Sequence, residues 1–293
     1  MAVPVCTGPQ GNTCAPSHVR IEIYPGESPS PGHVFQQYGP LRSEIWDGRL
    51  VVYVDNQLVA PAYRVFGGPR NTVSPPGEHP AHPTQPGRYV LDAPEAHVSS
   101  SWADAEIPTG AFLRREGDHI RAEFTARGQH RDIILDQTRW YRDALESRQR
   151  ANQNAVSPLS DADVERNMQG LILGAYASSW EGDPAFAGDV THRTTPKFAF
   201  NPFGPWSFRL NMANGRRGKQ HLHTTASNFI AYLQSPGDST ADLYRSLGSS
   251  HGCVHIAWKH LKKLIADGYA KRGVPVLIHR YDQKGPTTVN LAP

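Results

Sequence analysis

Ser249-Ser250-His251-Gly252-Cys253-Val254-His255 is the stretch that most limits how this chain can fold. It brings a hydroxyl, an imidazole, a thiol and a turn-making glycine into seven residues. Leu243-Tyr244-Arg245-Ser246-Leu247-Gly248, just before it, makes a poor strand and a good loop. After it, Ile256, Leu261, Leu264 and Ile265 recur at helical spacing with Lys259, Lys262 and Lys263 between them, and Gly268 supplies the stop. This reading puts Cys253 at or just before a helix N-terminus, where unpaired N–H groups and the helix dipole favour a thiolate over a thiol. Gly252 lets backbone N–H groups turn toward one point, which an oxyanion needs.

The rest of the chain reads as strands joined by many turns. Its 26 glycines and 25 prolines in 293 residues point to an all-β or loop-heavy build. Leu50-Val51-Val52-Tyr53-Val54 and residues 58–66 form a hairpin with Asp55-Asn56 at its turn. The proline-rich 69–87 carries His79 and His82, which read as an exposed loop, since no Asp, Glu or Cys stands at ligand spacing. Residues 107–112 and 120–124 read as strand, 136–152 as helix, and 160–175 as a second helix begun by Ser160-Asp161-Ala162-Asp163. Trp206 to Leu210 return to strand. If Gln220-His221-Leu222-His223 is a strand, His221 and His223 share one face and Leu222 takes the other. Val274 to Ile278 make a last strand.

Ser250-His251-Gly252-Cys253-Val254 resembles the signature of the L,D-transpeptidases, the YkuD-type cysteine enzymes of bacterial cell-wall cross-linking. In that family an upstream histidine ends a strand, a slot that His223 fits here. The family's Val-Tyr strand, second strand, Thr-Pro-x-Gly turn and final strand resemble residues 50–54, 63–67, 83–89 and 273–278, in the same order. The departures are His255, where the family has Asn or Arg, and the 26 residues between His223 and Ser250, a longer gap than usual.

The resemblance implies a mainly β sandwich or open barrel over 48–293, with a short helix after Cys253 and a partly helical insertion at about 95–204. Residues 1–47 form an irregular N-terminal segment in this reading. It implies that Cys253 attacks a tetrapeptide stem of peptidoglycan and carries the acyl group as a thioester, with no metal or organic cofactor. His223 moves the protons, oriented by the Thr224 carbonyl, and the backbone N–H groups of His251, Gly252 and Cys253 hold the oxyanion. Ser250, Thr224, His221 and His255 line the substrate groove, with His255 meeting a substrate carboxylate best in acid. An amine acceptor makes the enzyme a transpeptidase, and water makes it a carboxypeptidase or endopeptidase.

Rival readings come from the same residues. Gly248-Ser249-Ser250-His251-Gly252 also satisfies the G-x-S-x-G nucleophile elbow, but no buried strand leads into it, and too little chain follows for the partner Asp and His. A papain-like order wants Cys before His, whereas here His223 precedes Cys253. A third reading keeps the fold as a non-catalytic wall-binding or spike-associated module.

The net charge of +3 and the lack of a basic run or zinc-finger spacing argue against nucleic acid. No run approaches the ~18 apolar residues of a membrane span. The opening residues have no apolar core of a leader, so the expectation is a periplasm or cell-wall protein exported without a cleaved Sec signal, in the manner of a secreted antibacterial effector. Residues 1–14 are similar to the start of PAAR-like spike proteins, which implies a secretion-apparatus partner. Cys6 and Cys14 are close enough to pair, and with His18 they fall one ligand short of a zinc site.

Overall fold

The computed structural model describes residues 18–26, 48–74, 80–95, 106–108, 111–116, 119–135, 138–152, 160–177, 197–234, 247, 250–288, 290 and 292. Cys6, Cys14, His79, the linker at 28–32 and the elbow residues Gly248 and Ser249 lie outside them. The protein is mainly β, and its principal sheet is a closed barrel.

The barrel starts with β1 (Val19–Tyr24), a strand in the segment expected to be irregular. Val19, Ile21 and Ile23 face in, while Arg20, Glu22 and Tyr24 face out, which is the period-2 pattern of a half-buried strand. Its neighbour β2 (Arg49–Val54) turns into β3 (Gln57–Phe66) through Asp55 (φ 50°) and Asn56 (φ 64°). Two left-handed residues in a two-residue turn match the twist of a hairpin, and Asp and Asn tolerate that region best after glycine. The remaining barrel strands are β4 (Gly87–Glu95), then β10 (Ser207–Met212), β11 (His221–His223), β12 (Val254–Ile256) and β13 (Pro275–Ile278).

Around the barrel the order is β1-β13-β4-β10-β11-β12-β3-β2, and β2 pairs with β1 to close it. Closure corrects the expected sandwich or open barrel. The strand that completes the ring is β1, parallel to β13 from the far end of the chain. Val52, Val65, Leu91, Phe208, Leu210, Leu222, Val254, Ile256 and Val276 belong to one buried apolar cluster. Taking each such side chain out of water contributes about 1.5–3 kcal/mol.

Between β4 and β10, which pair directly, the chain leaves the barrel. The excursion holds β5 (Glu106–Pro108), β6 (Phe112–Glu116), β7 (His119–Ala126), β8 (Gln129–Leu135), α1 (Arg139–Asn152), α2 (Asp161–Ala177) and β9 (Lys197–Ala199). Ser160 starts α2 as expected: its Oγ accepts the Asp163 N–H at 3.3 Å. On α1 the fully buried aromatic is Tyr141, next to the Trp140 expected there.

Tyr141 meets Phe198 edge-on at 5.4 Å, and Phe198 stacks at 6.2 Å on Phe229 of α3 (Ala226–Gln234). Phe229 meets Trp258, the first residue of α4 (Trp258–Ala266), at 5.6 Å. Aromatic pairs in such geometries add to the energy of burial. This ladder ties the insertion to the helix after the candidate site. Among the described residues no helix is long and apolar enough to cross a membrane.

Leu222 faces the core between two outward histidines. Leu222→Ala is expected to cost about 2–5 kcal/mol, read as a lower guanidinium midpoint with an unchanged slope. An unchanged midpoint would show that β11 does not pack as described.

Candidate active site

Three short strands build the site. Strands β10 and β11 are antiparallel, with Ser207 level with His223, Phe208 with Leu222 and Arg209 with His221. Strands β11 and β12 are parallel, with Leu222 beside Val254 and His223 beside His255. One residue back along both, His221 is level with Cys253, and a backbone hydrogen bond from His221 reaches the thiol. Since side chains alternate, Phe208, Leu222 and Val254 turn into the core. The opposite face carries two rows: Arg209, His221 and Cys253, then Ser207, His223 and His255.

Cys253 is a free, half-buried cysteine. It does not stand at a helix N-terminus: β12 and Ala257 separate it from α4. Three consecutive residues, Val254-His255-Ile256, pair as strand where a continuous helical pattern was expected. The dipole argument therefore fails. Burial instead pushes the thiol up to about 11, although the His221 backbone bond and the Arg209 charge pull the other way.

His223 is 3% exposed, and its Nδ1–H donates to the Thr224 carbonyl. That bond sets the tautomer and leaves Nε2 as the basic nitrogen. Its ring lies 4.2 Å from that of Phe203 and 4.6 Å from that of His255. Thr224, expected in the groove, is buried; its Oγ1 donates to Asn228 Oδ1 at 3.0 Å, and the same oxygen accepts the Trp258 N–H at 2.7 Å. Thr224 thus supplies a carbonyl to the histidine and holds α3 against the start of α4.

Three other residues expected in the groove are buried as well. Ser250 is 0% exposed; its Oγ donates to the Cys253 carbonyl at 2.6 Å and accepts the Gly252 N–H at 3.1 Å. It locks the turn, and the Gly252 N–H is engaged here. His221 is 2% exposed, with Nδ1 at 3.2 Å from the Ser207 hydroxyl and its ring against Phe203. His255 is 6% exposed, and its Nδ1–H donates to the Leu247 carbonyl at 2.8 Å. Burial pushes His255 down to about 4, so it is neutral near pH 7, and its ring packs against His223. Of the expected site, His251 remains exposed beside the turn.

Several residues of the site carried no functional sign in the sequence. Thr84 Oγ1 accepts the Gly68 N–H at 2.9 Å and donates to the Gly252 carbonyl at 3.0 Å. The Tyr281 hydroxyl accepts the Thr84 N–H at 3.0 Å and donates to the Gly68 carbonyl at 2.8 Å. Gln220 Nε2 also donates to the Gly252 carbonyl, at 3.1 Å. Gly68 has to be glycine, because a Cβ there would meet the His82 carbonyl oxygen at 2.0 Å and Gly252 at 3.0 Å. Gly252 itself sits at φ 125°, which side-chain-bearing residues avoid. Among the described residues, no three His, Cys, Asp or Glu converge as a metal group.

The buried neutral His255 has a signature in stability. Its folded pKa lies near 4, below the ordinary 6.5, so the unfolded chain binds the proton more readily. Its contribution is present above pH 6.5 and lost as pH falls toward about 4. The wild type is expected to lose melting temperature from pH 7 to pH 4.5 more steeply than His255→Asn. Parallel melting curves for the two proteins would contradict the buried neutral ring.

No family model matches the chain, and neither the curated proteins nor the solved structures contain a match to it.

Proposed function

We propose that the protein is a peptidoglycan-modifying cysteine acyltransferase of the L,D-transpeptidase kind, acting on tetrapeptide stems in the periplasm or cell wall. The observation that carries this is the shared outward face of Cys253 and His223, with the His223 Nδ1–H held by the Thr224 carbonyl. A nucleophile, a base and an orienting group are the parts that acyl transfer needs.

The raised thiol shapes the mechanism. With a pKa of about 11, Cys253 rests as a thiol at neutral pH. His223 Nε2 takes the proton as sulfur attacks the carbonyl carbon, general-base help worth roughly 10²–10⁴ in rate. The tetrahedral oxyanion collapses, the C–N bond breaks, and His223 returns the proton to the leaving amine. Acyl stays on sulfur as a thioester. An acceptor amine, or water, then attacks that carbonyl, giving its proton to His223. The C–S bond breaks and the thiol is restored.

The same raised thiol favours a second reading, a non-catalytic module that binds wall or spike components and keeps the cysteine inert. Intact-mass measurement separates the two. A carbapenem, a strained acyl donor, is expected to add once to the native protein at Cys253 and not at all to Cys253→Ala. Muropeptides incubated with the native protein are expected to gain cross-links or lose their terminal residue. With neither adduct nor altered muropeptides, the non-catalytic reading would stand. An adduct on Ser250 would point to serine chemistry against the buried geometry of that hydroxyl.

The protonation state has its own test. Iodoacetamide labelling of Cys253 is expected to be slow at pH 7 and to climb as pH rises toward about 11, because the thiolate is the reacting form. A plateau reached below about pH 8.5 would show a preformed thiolate and remove the concerted proton transfer.

A further inference from the structure

The peptide unit between Gly252 and Cys253 is fixed from outside its turn. Its carbonyl takes two donors, the Thr84 hydroxyl at 3.0 Å and Gln220 Nε2 at 3.1 Å. A carbonyl oxygen has two lone pairs, so both are spent and its direction is set. Thr84 stands ahead of β4 and Gln220 directly ahead of β11, so neither belongs to the turn it holds.

Thr84 is itself pinned. It is buried, its Oγ1 accepts the Gly68 N–H at 2.9 Å, and its own N–H donates to the Tyr281 hydroxyl at 3.0 Å. That hydroxyl donates in turn to the Gly68 carbonyl at 2.8 Å. Both oxygens close on Gly67, where a Cβ would meet Thr84 Oγ1 at 2.7 Å and the Tyr281 hydroxyl at 2.8 Å. The Thr84 hydroxyl therefore has one place to stand and one carbonyl to grip.

The other end of the gripped peptide unit is the Cys253 N–H. A trans peptide is planar, and its N–H points opposite to its C=O. Holding the Gly252 oxygen thus aims the Cys253 N–H away from Thr84 and Gln220. Among the described residues no acceptor meets this N–H. The Gly252 N–H, by contrast, is engaged by Ser250 Oγ at 3.1 Å. An unspent N–H on the residue that carries the nucleophile is a common donor to the oxyanion in acyl transfer.

We infer that Thr84 and Gln220 are positioning residues for the acyl-transfer step: by holding the Gly252 carbonyl they aim the Cys253 N–H at the oxygen that becomes negative. This inference rests on the acyl-transfer reading. As sulfur bonds to the carbonyl carbon, the π pair moves onto oxygen and the thiol proton goes to His223. The aimed N–H donates to that oxygen until the pair returns and the C–N bond breaks. In this role neither side chain touches the substrate. Each acts through one peptide unit.

The test compares two reactions of the same thiol in the full chain. Carbapenem acylation passes through an oxyanion. Alkylation by iodoacetamide displaces iodide from a saturated carbon and does not. Thr84→Val keeps the shape and removes the hydroxyl. It is expected to slow acylation about 10- to 100-fold, less than outright loss of a donor because Gln220 still holds the carbonyl. Alkylation at the same pH is expected to stay within about twofold, since it follows the thiolate alone. Thr84→Ser, which restores the hydroxyl, is expected to acylate within about threefold of the native rate. Thr84→Val also leaves the Gly68 N–H without its acceptor, so circular dichroism checks its fold. If it is not folded, Gln220→Met decides, with the same split expected from loss of the Nε2 bond to Gly252.

The outcomes separate from those of the proposed function. Acylation of the variants at the native rate would overturn the positioning role and leave the enzyme. Acylation and alkylation that change together would show an action on the sulfur and not on the N–H, which overturns the role as well. A native protein that the carbapenem does not acylate removes both the role and the reading beneath it.

Discussion

The parallel pairing of β11 with β12 is the constraint on which the rest of the site depends. Each strand has only three residues, so its register is held by very little of its own length. What holds it is the inner face. Leu222 and Val254 are fully buried in the apolar cluster, and a slip of one residue would turn them outward and drive His223, Cys253 and His255 into the core. Burying those polar groups without partners would cost more than the strand pairing returns. The direction in which Cys253 points is thus set by two aliphatic side chains on the opposite face. A parallel pair also demands a crossover, and α3 lies within it. Asn228 on α3 ties that crossover to Thr224 and to the start of α4.

The outward face is dry as well as polar. His221, His223 and His255 are all nearly buried, and the rings of Phe203 and His255 pack on His223. In such surroundings neutral forms win, which is why the Cys253 thiol moves up and the His255 imidazole moves down. One physical cause, loss of water, moves an acid and a base in opposite directions and leaves both uncharged. Half-buried Arg209 brings a charge that acts on Cys253, and charges interact more strongly away from water than in it.

Much of the fold was legible because its signals are local. The hairpin of β2 and β3 announces itself by Val-Val-Tyr-Val and an Asp-Asn turn, and α2 by Ser160 ahead of an apolar face. Strand β1 was equally periodic, yet its partners are β2 across a long gap and β13 at the far end of the chain, so nothing nearby marked it as part of a barrel. Strand β12 was misread for a different reason: three residues are too short to show a period, and Ile256 fits the helical spacing that follows it. Within the site, the turn and the shared face of His221 and His223 could be read from spacing. Burial could not. Whether a histidine on a strand meets solvent depends on what covers the sheet, and Phe203 together with the insertion is a tertiary fact. Arg209 had a readable side of its strand, opposite Phe208 and Leu210, but its place beside His221 follows only from the antiparallel register.

The turn at 250–253, which carries Cys253, is held largely by residues outside it. A reacting atom has to be held within roughly 0.5 Å of its working position. The Gly252 carbonyl is gripped by Thr84 from the approach to β4 and by Gln220 from the approach to β11. Tyr281, beyond β13, binds both Thr84 and Gly68, and Ser250 closes the turn from within. Thr84 and Gln220 come from distant parts of the chain and converge on one carbonyl, with Tyr281 behind Thr84, so the turn forms only when the barrel has closed. A cysteine held this way needs no helix dipole and no preformed charge to be placed. On the proposed acyl-transfer reading, its reactivity then rests on His223, which the β11–β12 register sets on the same face.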